Sequence, residues 1–233
     1  MIPGTRLVHH AEIDSTNSEA RRLAEAGERG PVWIACDRQT AGRGRRGRAW
    51  EQGEGNLAAT LLIHPTGDFA QLSFAAALAV ADMVQHFAPA AAVTVKWPND
   101  VLADGRKIAG ILLESGPGWL AVGIGVNLAS HPQGTEFPAT SLMQLGIAPP
   151  SSQEALALLA ARFAHWYDAW MTQGFEALRA AWLARANGLG AQIRARLPHE
   201  TRHGVFEGID ASGALLLNEQ GQVRAITAGE VFF

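Results

Sequence analysis

Residues 69–88 are rich in alanine and apolar on nearly every face of a helix, and a helix of that kind is stable only at the centre of a fold. The neighbouring segments must therefore supply layers to bury it. Residues 7–13 read as a short strand. Thr16 and Glu19 then stand at the Thr-x-x-Glu spacing of a capping box, which opens a helix running to about Ala26. Residues 32–36 and 57–64 are compact apolar runs typical of strands. Residues 93–97 read as a strand stopped by Pro98, residues 101–114 as a hairpin turning at Asp104-Gly105, and residues 119–128 as its neighbouring strand. Two helices fit residues 153–171 and 175–186. Strand pairs mixed with helices, without strict alternation, predict an α+β fold with a mixed sheet in preference to a doubly wound parallel one.

At 233 residues and 48% hydrophobic content, the chain has material for one substantial core and a small appended unit. Asn187-Gly188 marks the expected boundary, giving a first domain at 1–187 and a second at 188–233. In the second, short alternating runs at 192–197, 204–209, 214–217 and 223–227 predict a small barrel-like β unit. The central apolar run is broken by Asp82 and is too short for a membrane span, and the first ten residues carry no secretion signal, so the cytoplasm is the expected compartment. A single cysteine, Cys36, excludes an intramolecular disulfide and reads as a small core residue of a strand. No Cys/His spacing matches a zinc site, and His199 and His203 only flank a turn, so no dedicated metal site is expected.

The net charge of −3 gives no global attraction to nucleic acid or an acidic membrane, yet the basic residues are unevenly placed. Arg38, Arg43, Arg45, Arg46 and Arg48 crowd one stretch, and the only two lysines are Lys96 and Lys107. A local anion site fits this better than a basic face. The stretch 37–56 is too long and irregular for a simple turn, and its core, Gly42-Arg43-Gly44-Arg45-Arg46-Gly47-Arg48, formally satisfies Gly-x-Gly-x-x-Gly. It lacks the direct strand-to-helix turn of a dinucleotide site and the Gly-Lys-Ser/Thr of a phosphate loop. Its glycines allow close backbone approach and its arginines can fork onto phosphate or carboxylate oxygens, although a solvated charged loop reads equally well in isolation. Asp14-Ser15-Thr16-Asn17 sits at a strand-to-helix junction, where capping and ligand binding can coexist. Lys96-Trp97-Pro98-Asn99-Asp100 precedes the hairpin and Lys107-Ile108-Ala109-Gly110 follows its turn; strand alternation alone would send Lys107 to solvent. Gly123-Ile124-Gly125-Val126-Asn127 puts glycines inside an apolar strand, which weakens it unless something approaches the backbone closely.

Taken in order, these segments resemble the biotin protein ligase family. The resemblance rests on Asp14 through Asn17, Gln39 through Arg48 with Trp50, Lys96 through Asp100, Lys107 through Gly110, and Gly123 through Asn127. The closing segment is similar to that family's small SH3-like domain. The resemblance implies a catalytic fold related to class II aminoacyl-tRNA synthetases and lipoate ligases. It implies formation of biotinyl-5'-AMP from biotin and ATP with Mg2+, then transfer of biotin to a lysine of a biotin carboxyl carrier protein. On that basis Ser15, Thr16, Asn17 and Gln39 would face the ureido ring, with Gly44, Gly110 and Gly125 also lining biotin. Arg43 and Arg45 would serve both biotin and the adenylate, and Lys107 would meet the biotin carboxylate and the α-phosphate. Gly42, Arg46, Gly47, Arg48, Asn99 and Asn127 would lie on the nucleotide side, Trp50 would cover the adenine, and Asp100 would be a candidate base toward the acceptor lysine.

Some members of that family carry an N-terminal helix-turn-helix domain; this chain begins almost at its first catalytic strand, so a ligase without direct DNA binding is expected. A lipoate or octanoyl ligase on a related fold is the nearest enzymatic rival, and a nucleic-acid-binding regulator using the arginine stretch is the rival from another class. An edge strand could serve a homodimer or transient docking of the acceptor, and the sequence leaves these open.

Overall fold

A seven-stranded mixed sheet frames the structure, a computed structural model that describes residues 2–233. Its strands are β1 (Arg6–Ile13), β2 (Val32–Gln39), β3 (Leu57–Ile63), β4 (Val93–Lys96), β5 (Asp100–Ala103), β6 (Arg106–Gly116) and β7 (Trp119–Val126), in the order β1-β2-β3-β7-β6-β5-β4. Strands β1 and β2 are parallel and joined through helix α1 (Thr16–Glu25), while every other pair is antiparallel. This is the α+β mixed sheet expected from the sequence. The β5–β6 turn holds Asp104 and Gly105 at φ 49° and 71°, the mirror-image turn that suits a two-residue hairpin.

The two faces of the sheet meet different fates. On one, Trp33, Ala35, Ala59, Leu61, Val122 and Ile124 join a core closed by two helices: α2 (Leu72–Phe87) lies over β4 to β7, α3 (Ser152–Gln173) packs beside it over β3 with Phe163 against Trp33, and α4 (Phe175–Leu183) packs on both. Helix α2 is buried at Leu72, at Phe74 through Ala81, and at Met83 and Val84, the central placement that its composition predicts. Its one charged side chain, Asp82, accepts hydrogen bonds from Trp166 Nε1 at 2.8 Å and Arg185 at 2.6 Å. On the other face, α1 covers Val32, Leu62 and Ala121 with Ala20. Beyond α1 the cross-strand register lines up Cys36, Ala58, Gly125, Gly110 and Asp100. Small residues in a row across four strands leave a hollow that no helix fills.

Helix α1 does not begin with a capping box. Its N-cap is Ser15, whose side chain makes no capping hydrogen bond, and the Glu19 carboxylate turns away to Arg22 at 2.7 Å. The free N–H of Thr16 is instead satisfied from outside the helix, by Gln39 Oε1 at 2.9 Å. Satisfying it from β2 ties the helix start to the hollow.

The remaining strands, β8 (Gln192–Arg196), β9 (Thr201–Ile209), β10 (Leu215–Glu219), β11 (Gln222–Ile226) and β12 (Glu230–Phe232), form an antiparallel sheet in the order β11-β10-β9-β8-β12. The sheet is open, which corrects the expectation of a closed barrel: β12 is three residues long and pairs with β8, and β11 pairs with β10. The alternation in β8 to β11 was readable, whereas β12 is too short to carry a period. Trp182 of α4 joins the two sheets, with ring centroids 5.5 Å from Phe74 and 6.4 Å from Phe206 of β9, and one apolar core runs through both. Trp97 Nε1 adds a buried hydrogen bond to the Gly213 carbonyl at 3.0 Å. Truncation of Trp182, which is 1% exposed, to alanine is expected to cost about 3–5 kcal/mol. Urea unfolding should read this as a lower midpoint of one cooperative transition; an unshifted midpoint would contradict the shared core.

Candidate active site

The hollow is a cavity of about 360 Å³ between the small-residue row, the start of α1, the glycine-arginine loop, residues 132–139 and β12. Its floor depends on missing side chains. A Cβ on Gly123 would lie 2.2 Å from Asn17 Oδ1, and one on Gly125 would lie 2.3 Å from the Trp50 indole. The glycines inside β7 thus admit close approach, as strand glycines of this kind predict, and the approaching groups belong to the chain itself.

At the inner end the polar groups are partly spent on one another. Gln39 Oε1 accepts from Thr16 N at 2.9 Å, and Thr16 Oγ1 lies 3.1 Å away. Thr60 Oγ1 donates to Asn17 Oδ1 at 2.6 Å, and Asn17 Nδ2 donates to Glu114 Oε2 at 2.8 Å. Arg43 reaches across to the Ser18 hydroxyl at 2.9 Å and to both oxygens of Glu114 at 3.3 Å. The Ser15 hydroxyl and Gln39 Nε2 line the cavity without a hydrogen-bond partner among the described residues. The inner end therefore offers a hydroxyl and an amide donor to a polar group of an entering ligand.

Cations collect at the outer end. A bulge in the β5–β6 pairing sets Leu102 opposite Lys107 and Val101 opposite Ala109, so Lys107 falls on the same face as Gly110 and not on the face that strict alternation dictates. Its ammonium lies 2.7 Å from Asp100 Oδ1, and Lys96 lies 3.7 Å from Oδ2. The chain's only two lysines thus flank one carboxylate. Burial pushes the Lys96 ammonium below its ordinary pKa, with Asp100 offsetting part of the effect, and the Phe137 ring sits 4.1 Å beneath it. Arg45 donates to Asn99 Oδ1 at 3.3 Å and to the Gly229 carbonyl at 3.5 Å, and no carboxylate ion-pairs with it among the described residues. Burial, followed by repulsion from Arg46, lowers its pKa, although a guanidinium stays charged in a protein. A partly desolvated cation on which Asp100 and Glu230 act only from a distance, with no direct carboxylate partner among the described residues, is receptive to an anion. Asn127 donates to the Thr140 carbonyl at 3.0 Å, and its buried Oδ1 is unpartnered among the described residues.

The chain has clear relatives. The model of the Biotin/lipoate A/B protein ligase family matches residues 11–129, and that of the Biotin protein ligase C terminal domain matches residues 188–233. The Biotin--[acetyl-CoA-carboxylase] ligase of Paracoccus denitrificans is 48% identical, over 96% of this chain and 98% of its own length. The chain belongs to the biotin/lipoate A/B protein ligase family. A second ligase of the same name, from Mycobacterium tuberculosis, is 36% identical over 95% of this chain and 86% of its own. The solved biotin protein ligase from Aquifex aeolicus in complex with biotin and ATP superposes with a TM-score of 0.86 at 27% identity, covering 97% of each chain.

Within this family member the cavity gathers Ser15, Thr16, Asn17, Gln39, Arg43, Gly44, Arg45, Arg48, Trp50, Asn99, Asp100, Lys107, Gly110, Gly125 and Asn127. Gly42, Arg46 and Gly47 lie outside its lining. Gly42 is held by crowding, since a Cβ there would meet the Trp50 carbonyl at 2.6 Å, and Arg46 with φ 57° turns toward Glu230 at 3.8 Å. Residues that sequence reasoning passed over are Thr60, Glu114, Phe137, Glu230 and Phe232. No motif spacing marks them; an isolated acid in a strand or an aromatic in a turn-rich stretch has no readable signal.

Glu230 latches the loop to the C-terminal sheet. Its carboxylate contacts Arg48, Arg196 and Arg46, and its side chain is 11% exposed. Burial works to raise its pKa, but the Arg196 hydrogen bond and the charges of Arg48, Arg196 and Arg46 outweigh this and hold it below the ordinary 4.5. A depressed carboxyl contributes its stabilisation above pH 4.5 and loses it as pH falls through the folded value. Glu230→Gln should free the loop at neutral pH, so that trypsin cuts after Arg46 and Arg48 about fivefold faster, as expected for the loss of about 1 kcal/mol. Unchanged cleavage would remove the latch.

Proposed function

We propose that this protein binds biotin at the inner end of the cavity and ATP at the outer end. It joins them as biotinyl-5'-AMP, then transfers biotin to a lysine of a biotin carboxyl carrier protein, with release of pyrophosphate and AMP. The observation that carries this reading is the Arg45 guanidinium, half-buried beside Asn99 without an ion-paired carboxylate among the described residues and facing the same cavity as Lys107. In the first step a biotin carboxylate oxygen attacks the α-phosphorus, and the bond to the pyrophosphate oxygen breaks. Two anions must meet, which fixed cations permit. Arg45 is poised for the phosphate, and Lys107 is held by Asp100 where carboxylate and phosphate would come together. In the second step the acceptor amine attacks the biotinyl carbonyl, AMP leaves, and a proton is lost from the nitrogen.

The inner end supports a urea. Ser15 and Gln39 present unspent groups in a pocket that would otherwise leave a buried urea unsatisfied, and Thr16 and Asn17 hold the wall around them. Gly44, Gly110 and Gly125 keep the cavity floor and roof low enough for a ring and a chain. On the nucleotide side Asn127 offers an acceptor unpartnered among the described residues, Arg48 lines the mouth, and Trp50, whose indole lies against Gly110 and Gly125, would turn to cover the adenine. Gly42, Arg46 and Gly47 act by shaping and anchoring the loop. Asp100 remains the proposed base toward the acceptor lysine, in which role Lys107 must first turn from it onto the adenylate.

Magnesium would accompany the triphosphate and screen the departing pyrophosphate. Asp100, Glu136 and Glu230 of the lining are each engaged by lysine or arginine, Glu51 stands as a single carboxylate, and the described residues hold no cluster of three or more metal-ligating groups, so the ion would be held chiefly by phosphate oxygens. We read residues 1–187 as the catalytic unit and 188–233 as a lid-anchoring unit. No described helix is long and apolar enough to cross a membrane, and the proposed site of action is the cytoplasm, without direct DNA binding. The edge of the large sheet at β1 is open for a second copy or the carrier.

Incubation with ATP, magnesium and biotin, followed by native mass spectrometry, should show retained biotinyl-5'-AMP; lipoate should not compete. Retention of a lipoyl adenylate instead would transfer the assignment to the rival ligase. Arg45→Ala and Lys107→Ala should each lower biotin-dependent pyrophosphate exchange by about 100-fold or more, with thermal midpoints close to the parent. Exchange at the parental rate in either variant would overturn its role. An unchanged transfer step in Asp100→Asn would remove that residue as the base.

A further inference from the structure

Glu114 stands on β6, on the same face as Gly110 and Leu112, but behind the cavity wall and outside its lining. Its two oxygens meet two groups that do line the cavity. One is the Asn17 amide, accepted at 2.8 Å; the other is the Arg43 guanidinium, at 3.3 Å from each oxygen. The Asn17 amide is thereby given one orientation. With Thr60 donating to its oxygen at 2.6 Å and Glu114 accepting from its nitrogen, a flip would set a carbonyl oxygen against a carboxylate. Arg43 carries the other consequence. The loop that supplies Gly44, Arg45 and Trp50 to the cavity is bridged to itself at Arg43 and Ala49, and Arg43 ties that hairpin to α1 through Ser18 and to β6 through Glu114.

We propose that Glu114 is a positioning residue for biotin: it fixes the Asn17 wall against Gly123 and holds Arg43, and with it the roof loop, over the inner end. This rests on the reading of the inner end as the biotin site. It separates the roles of two arginines in one motif. Arg43 is committed to a carboxylate and closes the roof, whereas Arg45 has no ion-paired carboxylate among the described residues and is left for the phosphate. The Arg43–Glu114 pair is 39% and 36% exposed, so its strength is modest and salt-dependent.

The test measures pyrophosphate exchange in the parent, Glu114→Gln, Glu114→Ala, Arg43→Gln and the double variant Glu114→Gln/Arg43→Gln, together with calorimetric biotin titrations at low and high salt. Glu114→Gln keeps an acceptor for Asn17 but loses the charge facing Arg43. Its biotin KM should rise about two- to fivefold, with kcat and the KM for ATP unchanged and a flatter salt dependence of the biotin Kd. Glu114→Ala should raise the biotin KM further, and in the Arg43→Gln background Glu114→Gln should add nothing. An unchanged biotin KM in both single variants, a fall in kcat alone, or additive effects in the double variant would overturn the proposal while leaving the ligase reading intact. Absence of biotin-dependent exchange in the parent would overturn both. Should Glu114→Ala fail to fold, the Gln variant and the double variant still decide the outcome.

Discussion

A sheet with one face sealed and the other left short of side chains is the constraint on which the rest of this structure depends. The sealed face needs an element that is apolar all round, and α2 supplies it, enclosed by the sheet, α3 and α4. The opposite face runs from Cys36 through Ala58 and Gly125 to Gly110, where successive strands offer almost no volume. An empty apolar hollow in a protein loses dispersion contacts and is not stable for its own sake. Here its rim is polar and its roof is a hairpin loop, so the missing volume is placed where a ligand can replace it. The glycines of β7 bear the cost of a weak strand, and flanking by β3 and β6 on both edges keeps that strand in register.

The charges follow from the same geometry. Three of the carboxylates around the cavity are placed to hold cations of the site in one position: Asp100 between the two lysines, Glu114 on Arg43, and Glu230 on Arg46, Arg48 and Arg196. Arg45 is the exception, and its position beside Asn99 and the Gly229 carbonyl gives it neutral hydrogen-bond acceptors, with Asp100 and Glu230 acting on its charge only from beyond ion-pair distance. Neutral acceptors orient a guanidinium without satisfying its charge. That difference distinguishes a cation used to build the loop from one left available to an anion, and it explains how so arginine-rich a segment can be ordered before any ligand arrives.

Much of the fold was legible because it obeys periods. The strands, the all-apolar helix and the turn at Asp104-Gly105 follow from residue patterns alone, and each reflects a local rule acting without competition. The departures occur where a distant residue overrides the local rule. Thr16 and Glu19 have capping-box spacing, but Gln39 reaches the Thr16 N–H first and Arg22 takes Glu19. Lys107 sits at a position that alternation sends to solvent, and the bulge opposite Val101 and Leu102 brings it inward. The barrel expectation failed for a related reason, since closure depends on pairing between the first and last edges, and a three-residue β12 provides one ladder.

The glycine-arginine motif shows why spacing identifies a site more readily than it assigns the work within it. Arg43, Arg45, Arg46 and Arg48 are indistinguishable as sequence, four cations separated by glycines. In the folded chain they diverge because the segment is extended at Gly44 and then turns sharply at Arg46 and Gly47, with φ of 57° and 73°. The extended part sends Arg43 to α1 and β6 and Arg45 to Asn99; the turn sends Arg46 and Arg48 to the C-terminal sheet. A motif that looks like one phosphate clamp is thus three guanidiniums anchored on carboxylates and one held by neutral acceptors. What separates them is the identity of the carboxylate each one meets, and those carboxylates come from parts of the chain that the motif does not contain.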